Sequence, residues 1–89
     1  MPDKQADNNF MPTLLVINGF RFFFHSNENS EPIHVHVTKG SANGKIWLLP
    51  NIEIAYMNGF TNSEIKMIME TIITHSKTFK AKWNEHFNK

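Results

Sequence analysis

Hydrophobic and polar residues alternate along the first half of the chain, and apolar residues recur with helical spacing along the second half. The alternation is clearest in the segment EPIHVHV, which begins at Glu31 and predicts a β-strand. Val35 and Val37 fall on one face of this strand. His34 and His36 fall on the other face, roughly 7 Å apart by strand rise. One face can therefore pack in a core, while the other carries two imidazoles.

Two apolar runs before this strand are separated by Asn18-Gly19, a pair that favours a β-hairpin with a type I′ turn. Such a turn sets the register of the two strands. The predicted pairs on the apolar face are Ile17 with Phe20, Leu15 with Phe22, and Thr13 with Phe24. The predicted residues of the other face are Leu14, Val16, Arg21, Phe23 and His25. Only this second face carries ionisable side chains.

The third strand extends both faces of the hairpin if it returns antiparallel with His25 near His34. Burial of its two valines then brings its two histidines onto the ionisable face of the hairpin. We call this surface the histidine face, and its members are Arg21, Phe23, His25, His34 and His36. The apolar ring of Phe23 on such a face indicates a second covering element or a partner.

Two further strands are predicted after a cluster of turn-forming residues from Lys39 to Gly44. The fourth strand spans Lys45 to Leu49, and the fifth spans Ile52 to Tyr56. Pro50 lies between them. Because proline cannot donate to a hydrogen-bonded ladder, we place the fifth strand at an edge of the sheet.

The last third of the chain has the pattern of two helices. Thr61 and Glu64 have the spacing of a capping box, in which each side chain accepts a hydrogen bond from the backbone N–H of the other residue. The apolar stripe of the first helix comprises Ile65, Ile68, Met69, Ile72 and Ile73. We predict a break at His75-Ser76, where Ser76 can cap a second helix. In that helix an apolar residue recurs every four positions, at Phe79, Trp83 and Phe87.

These patterns predict an α+β domain, in which an antiparallel β-meander of four to five strands is followed by two C-terminal helices packed on one face. The apolar face of the sheet, with Phe22 in the core, would receive both helices. A chain of 89 residues forms a single domain, which we assign to residues 11–89. Residues 1–10 are polar and show no periodicity, and we predict that they form a disordered leader.

Composition narrows the cellular context. The chain contains no cysteine, which excludes a disulfide framework and a thiolate metal site. Its first residues lack the apolar segment of a signal peptide, and no apolar run has the length of a membrane span. We therefore expect a cytoplasmic protein without membrane contacts. The formal net charge of +1 argues neither for nor against a nucleic-acid partner.

Several motifs of the chain resemble those of a family of small bacterial domains of unknown function. The matching segments are Met11-Pro12-Thr13, INGFRFFF from Ile17, Ser26-Asn27-Glu28, PIHVHV from Pro32, KIWL from Lys45, Gly59-Phe60 and KWNE from Lys82. The resemblance implies that the protein is encoded beside a second small protein, in an arrangement similar to a toxin–antitoxin pair. The chain departs from the family pattern at His25, Asn29 and Ile33, where an aromatic residue, a histidine and a proline are usual. The loop at Asn29 therefore supplies no further imidazole for a metal.

His34 and His36 are the candidate catalytic residues. They could act as a general acid and base, as phosphate contacts, as metal ligands, or as half-exposed strand residues without a chemical role. A metal site needs at least three ligands in fixed geometry, and no aspartate lies near these histidines in the sequence, so we predict neither a metal nor a cofactor. Arg21 and His25 are the candidate contacts for a phosphate or another ligand, since a guanidinium suits bidentate anions. Arg21 could equally be a solvated cross-strand residue.

Two function classes remain. In the first, the domain is a binding module, one component of a two-protein regulatory pair, with a small protein as its partner. In the second, it is a small metal-independent ribonuclease with His34 and His36 as acid and base, while Arg21 stabilises charge on the phosphate. The absence of a carboxylate committed to orienting the histidines favours the first class. Nucleic acid stays open as an alternative ligand.

Overall fold

The computed structural model describes residues 13–25 and 30–87. Within these residues the chain forms five strands and one helix: β1 (Thr13–Ile17), β2 (Phe20–Phe23), β3 (His34–Lys39), β4 (Ala42–Trp47), β5 (Glu53–Asn58) and α1 (Asn62–Phe87). The strands form one antiparallel sheet in the order β1-β2-β3-β4-β5. The predicted meander is thus confirmed, with β5 at an edge. The predicted leader, residues 1–10, lies outside the described residues.

A single helix follows the sheet, so the predicted break at His75-Ser76 is wrong. The buried side of the helix continues through this point because His75 itself is partly buried there. Its ring stacks on Phe79 at a centroid distance of 5.8 Å, and its Nδ1 lies 2.9 Å from the carbonyl oxygen of Thr71. The helix also contains neither proline nor glycine, the two residues that are least favourable inside a helix. α1 therefore packs as one element.

The buried side of α1 packs on one face of the sheet. The main core cluster comprises Phe20, Phe22, Val35, Val37, Ile46 and Leu48 of the sheet region and Ile68, Ile72 and Phe79 of α1, while a second cluster comprises Phe24, Trp83 and Phe87. Ile73, a member of the predicted stripe, is instead 60% exposed. It lies about 100° of helix rotation beyond Ile72 and so points away from the sheet. Among the described residues, no helix has both the length and the apolar character needed to cross a membrane.

The hairpin of β1 and β2 has the predicted turn, with φ angles of 53° at Asn18 and 83° at Gly19. Positive φ at both central residues matches the right-handed twist of the two strands. The pairs beside the turn are also those predicted: Ile17 with Phe20 and Leu15 with Phe22.

A β-bulge at Leu14 changes the register farther from the turn. Thr13 lies opposite Phe23 and not opposite Phe24 as predicted, so β1 has one residue more than β2 over this interval. The extra residue, Leu14, packs against both core clusters and does not lie on the histidine face. Thr13 lies beside that face instead, where its hydroxyl accepts a hydrogen bond from Arg21.

β4 begins earlier than predicted because the preceding turn is shorter. Gly40, with a φ of 60°, and Ser41 form the turn, and β4 starts at Ala42. Gly44 lies inside the strand, although the segment from Lys39 to Gly44 was predicted to be a turn from its turn-forming residues. A Cβ atom at this position would lie 2.6 Å from the Sδ atom of Met57. This glycine therefore serves the close approach of β4 and β5.

The N-terminus of α1 has the predicted capping box. The backbone N–H of Thr61 donates to Glu64 Oε1 at 2.9 Å, and the backbone N–H of Glu64 donates to the Thr61 hydroxyl at 3.1 Å. Lys39 of β3 donates from its Nζ to Glu64 Oε2 at 3.1 Å. The hydrogen bond from the Thr61 N–H, followed by the contact with the Lys39 ammonium, holds the pKa of Glu64 below its ordinary value of 4.5.

Replacing Glu64 by glutamine removes this charge and keeps an oxygen that can accept from Thr61. Because the folded-state pKa of Glu64 is lowered, its ionised form stabilises the fold above a pH of about 4.5, and this contribution is lost as the pH falls through the lowered pKa. We therefore expect Glu64→Gln to be less stable than the wild type near neutral pH and to converge with it in acid. Urea denaturation at a series of pH values measures the difference. A gap that is constant across the series would contradict this expectation.

Candidate functional site

The histidine face is the face of the sheet opposite the main core cluster, and strand pairing arranges its side chains in rows. Trp83 of α1 contacts this face at His34. β2 and β3 pair with Phe23 opposite His36, the register predicted from burial of the two valines. Pairing with β4 extends the face, since Lys45 lies opposite His36 and Trp47 lies opposite His34. The structure thus brings the predicted site residues onto one continuous surface.

Phe23 lies at the centre of this face and is only 4% exposed. The guanidinium carbon of Arg21 lies 4.3 Å from the centre of its ring. The ring of His36 stacks on it at a centroid distance of 5.5 Å, and the ring of His25 meets it edge-on, also at 5.5 Å. Neighbouring side chains of the same face pack around Phe23, and the second covering element or partner that the sequence suggests stays a prediction.

Arg21 and His25, the predicted ligand contacts, are both half-buried and lie on either side of Phe23 in the sequence. Arg21 donates a hydrogen bond from Nε to the Thr13 hydroxyl at 3.0 Å. Together with the cation–π contact, this bond gives the guanidinium two partners within the domain. The ring of His25 lies 4.5 Å from the ring of His36, centre to centre. Both predicted contacts are therefore held by neighbours on the face.

Both strand histidines are buried, so the alternative of half-exposed residues is wrong: His36 is 8% exposed and His34 is fully buried. The Nδ1 atom of His34 lies 2.9 Å from the carbonyl oxygen of Pro32. A carbonyl can only accept, so Nδ1 carries a proton and donates it in this contact. Three rings meet His34 edge-on at centroid distances of 5.3 Å for Trp47, 5.1 Å for Trp83 and 5.1 Å for His36. These contacts are typical of a structural core residue.

Lys45 and Trp47 are members of the face that sequence reasoning missed. Lys45 Nζ lies 2.9 Å from Glu31 Oε1 and 4.3 Å from the centre of the Trp47 ring. Glu31 Oε1 in turn lies 3.8 Å from His34 Nδ1. Alternation along β4 places Lys45 and Trp47 on one side of the strand, and this signal could have found both residues once β4 was paired with β3.

Comparison with known proteins assigns the chain to a family. The family described as "Domain of unknown function (DUF4160)" matches residues 19–84. The chain belongs to this family. The match begins in the hairpin turn and ends within α1, so it includes every residue of the histidine face. No protein with a curated description and no solved structure matches the chain.

The ionisable groups of this DUF4160 domain are not arranged as a metal centre in the part of the chain that the structure describes. No group of three or more His, Asp or Glu side chains there could hold a metal ion. The histidine face instead presents a guanidinium, an ammonium and imidazole edges beside aromatic rings. This chemistry suits contacts with carboxylates, carbonyl groups and rings of another molecule.

A separate groove of about 260 Å³ lies between the hairpin and the C-terminal part of α1 in this DUF4160 domain. Its lining residues are Thr13, Leu14, Phe24, Lys82, Glu85 and His86. None of the four predicted site residues, Arg21, His25, His34 and His36, lines this groove. The groove therefore adjoins the histidine face at Thr13 without including its predicted site residues.

Proposed function

We propose that this DUF4160 domain is a small protein-binding module, one component of a two-protein regulatory pair, and that its histidine face receives the partner. The main support is the composition of this face. Arginine and aromatic side chains, which are enriched at the centres of protein interfaces, are gathered on the side of the sheet opposite the main core cluster, where α1 makes contact through Trp83 at His34.

The long side chains of the face are ordered by contacts within the domain. Arg21 lies over the ring of Phe23, and Lys45 lies over the ring of Trp47. Immobilising a flexible side chain on binding costs about 0.5–1.5 kcal/mol. A surface whose side chains are already ordered avoids much of this entropy loss, which favours its use as an interface.

A protein partner suits this face better than a single-stranded nucleic acid does. Base stacking needs an aromatic ring with an accessible face, whereas Phe23 is buried and Trp47 is contacted by Lys45. The charges of the face are also mixed, because Lys45 is paired with Glu31 and Glu53 lies opposite Trp47. Nucleic-acid binding draws much of its affinity from Lys and Arg side chains that neutralise phosphates, and paired charges contribute less to it.

The alternative function is a metal-independent ribonuclease with His34 and His36 as acid and base. The centroid distance of 5.1 Å between the two rings, with Arg21 on the same face, is the observation in its favour. A general acid or base must come within hydrogen-bond reach of the reacting atoms. His34 is fully buried and its Nδ1 is bound to Pro32, which favours the binding module.

Co-expression with the small protein that we propose is encoded beside this one tests the binding function. We expect the two proteins to co-purify as a stoichiometric complex. Arg21→Ala should weaken the complex, whereas Lys77→Ala, which removes a positive charge from the exposed side of α1, should not. A failure of the two wild-type proteins to associate would contradict the proposal.

An RNA-cleavage assay of the wild type and of His36→Ala tests the alternative in parallel. The binding function predicts no cleavage by either protein. Cleavage by the wild type that disappears in a folded His36→Ala variant would support the ribonuclease instead. Circular dichroism of both proteins confirms that the comparison is made between folded chains.

A further inference from the structure

β5 is an edge strand in a part of the sequence that has almost no charge. From Ile46 to Ser63, Glu53 is the sole charged residue. β5 pairs with β4 on one side, and no strand of the described residues pairs with its other side. The backbone of β5 therefore offers a row of N–H and C=O groups to another strand.

Large apolar side chains are exposed along this edge. Ile54 and Tyr56 of β5 are each 42% exposed, and Leu49, which lies just before the strand, is 38% exposed. Edge strands of soluble proteins are commonly protected by lysine, by proline or by a β-bulge; β5 contains neither lysine nor proline, and its one such device is a bulge at Ala55. An edge of this kind is typical of a surface that another strand covers.

A β-bulge at Ala55 directs the two exposed side chains to different faces of the sheet. Ile54 lies opposite Ile46, which is buried in the core, whereas Tyr56 lies opposite Lys45 on the histidine face. The extra residue between these two pairs is Ala55. A strand added at this edge would therefore cover one large apolar side chain on each face.

We propose that β5 pairs antiparallel with β5 of a second copy of the chain, so that two sheets join across a two-fold axis. The position of Glu53 supports this arrangement. Antiparallel pairing separates the two Glu53 carboxylates to opposite ends of the interface, whereas parallel pairing would place these like charges side by side.

Closure of the assembly also favours identical strands as partners. Pairing of β5 with β5 is complete after two copies. Pairing of β5 with β1, the other edge strand, would leave a new edge on each added copy and would continue until it closed into a ring or grew into a fibre. The proposed interface borders the histidine face at Tyr56, but the variant that tests it, Ile54→Lys, changes a side chain on the other face of the sheet and so is distinguishable from a change at the histidine face.

Sedimentation equilibrium of the full chain over a wide range of concentrations tests this proposal. We expect the wild type to reach twice the mass of one chain, and Ile54→Lys to raise the dissociation constant of the dimer about ten-fold or more. The matched control is Ile73→Lys, which introduces the same charge at an exposed isoleucine of α1 and should leave the dimer unchanged. A wild type that stays monomeric, or an Ile54→Lys variant that dimerises like the wild type, would overturn the proposal.

A single cysteine tests the geometry without adding a charge to the strand, and it decides the question even if Ile54→Lys does not fold. Because the chain has no cysteine of its own, Ala55→Cys introduces one thiol near the centre of the proposed pairing. We expect mild oxidation to convert this variant into a disulfide-linked dimer much faster than the control Ile73→Cys, since only the first brings two thiols within bonding distance. Equal rates for both variants, or assembly into higher oligomers, would contradict the two-fold arrangement.

Discussion

Replacement of Phe22 by alanine is expected to lower the free energy of unfolding by about 3–5 kcal/mol. Phe22 is fully buried, and strand pairing places it between Leu15 and Val37. Its ring lies 6.0 Å from the ring of Phe79 on α1. The truncation would remove apolar surface and leave a cavity between the sheet and the helix, and the surrounding side chains can close such a cavity only in part.

Urea denaturation of the purified variants measures this loss. The expected loss in Phe22→Ala is large relative to the total free energy of unfolding of about 5–15 kcal/mol that is usual for a folded domain. The control, Ile73→Ala, shortens an exposed side chain on α1 and should change the free energy of unfolding by about 0.5 kcal/mol or less. Small and equal effects of both substitutions would show that the predicted apolar face of the hairpin is not the core.

His34→Ala is expected to lower the free energy of unfolding by about 2–5 kcal/mol, the range for truncation of a large buried side chain. The substitution would remove a fully buried ring from its contacts with Trp47 and Trp83. It would also remove the N–H that donates to the carbonyl of Pro32. His34→Phe keeps a ring but removes the imidazole's polar contacts, including the hydrogen bond to the Pro32 carbonyl, so we expect a loss of about 1–3 kcal/mol that is smaller than that of His34→Ala.

The matched control for this prediction is His25→Ala, at a half-buried imidazole of the same face. We expect it to destabilise the fold less than His34→Ala does in the same urea experiment. If His34→Ala were as stable as the wild type, the assignment of His34 as a structural residue would be wrong. Any loss of function in His34→Ala must accordingly be compared with the fraction of folded protein before it is assigned to chemistry.

The histidine face is predictable because it depends on two strong local signals. The Asn18-Gly19 turn determines the register of β1 and β2 beside the turn. Alternation along the third strand then leaves one arrangement that buries both of its valines. The pairing of Phe23 with His36 follows from this arrangement and is the pairing that the structure shows.

The burial of His34 is not predictable from its strand, because it depends on a distant part of the chain. Alternation assigns the same environment to His34 and His36. The structure distinguishes them, since α1 brings Trp83 into contact with the ring of His34. Trp83 belongs to a helix that continues unbroken through His75-Ser76, where the sequence pattern predicted a break. A partly buried histidine in an apolar stripe has too weak a signal to show that the helix continues.

The sequence around Leu14 does not indicate a β-bulge either. The run from Thr13 to Ile17 consists only of apolar and β-branched residues, so either orientation of Leu14 is compatible with its sequence. In the observed orientation Leu14 packs against both core clusters, and the Thr13 hydroxyl accepts a hydrogen bond from Arg21. The additional apolar burial and the hydrogen bond thus outweigh the loss of regular pairing.

Isothermal titration calorimetry of the proposed partner protein against the wild type and Arg21→Ala tests the proposed role of the histidine face most directly. Lys77→Ala serves as the charge-matched control on α1. Ile54→Lys shows whether the β5 edge contributes to the same binding. We expect the dissociation constant to rise about ten-fold or more in Arg21→Ala, a loss of about 1.4 kcal/mol, and to stay unchanged in the other two variants. Equal affinities of the wild type and a folded Arg21→Ala variant would contradict the assignment of the histidine face as the binding surface.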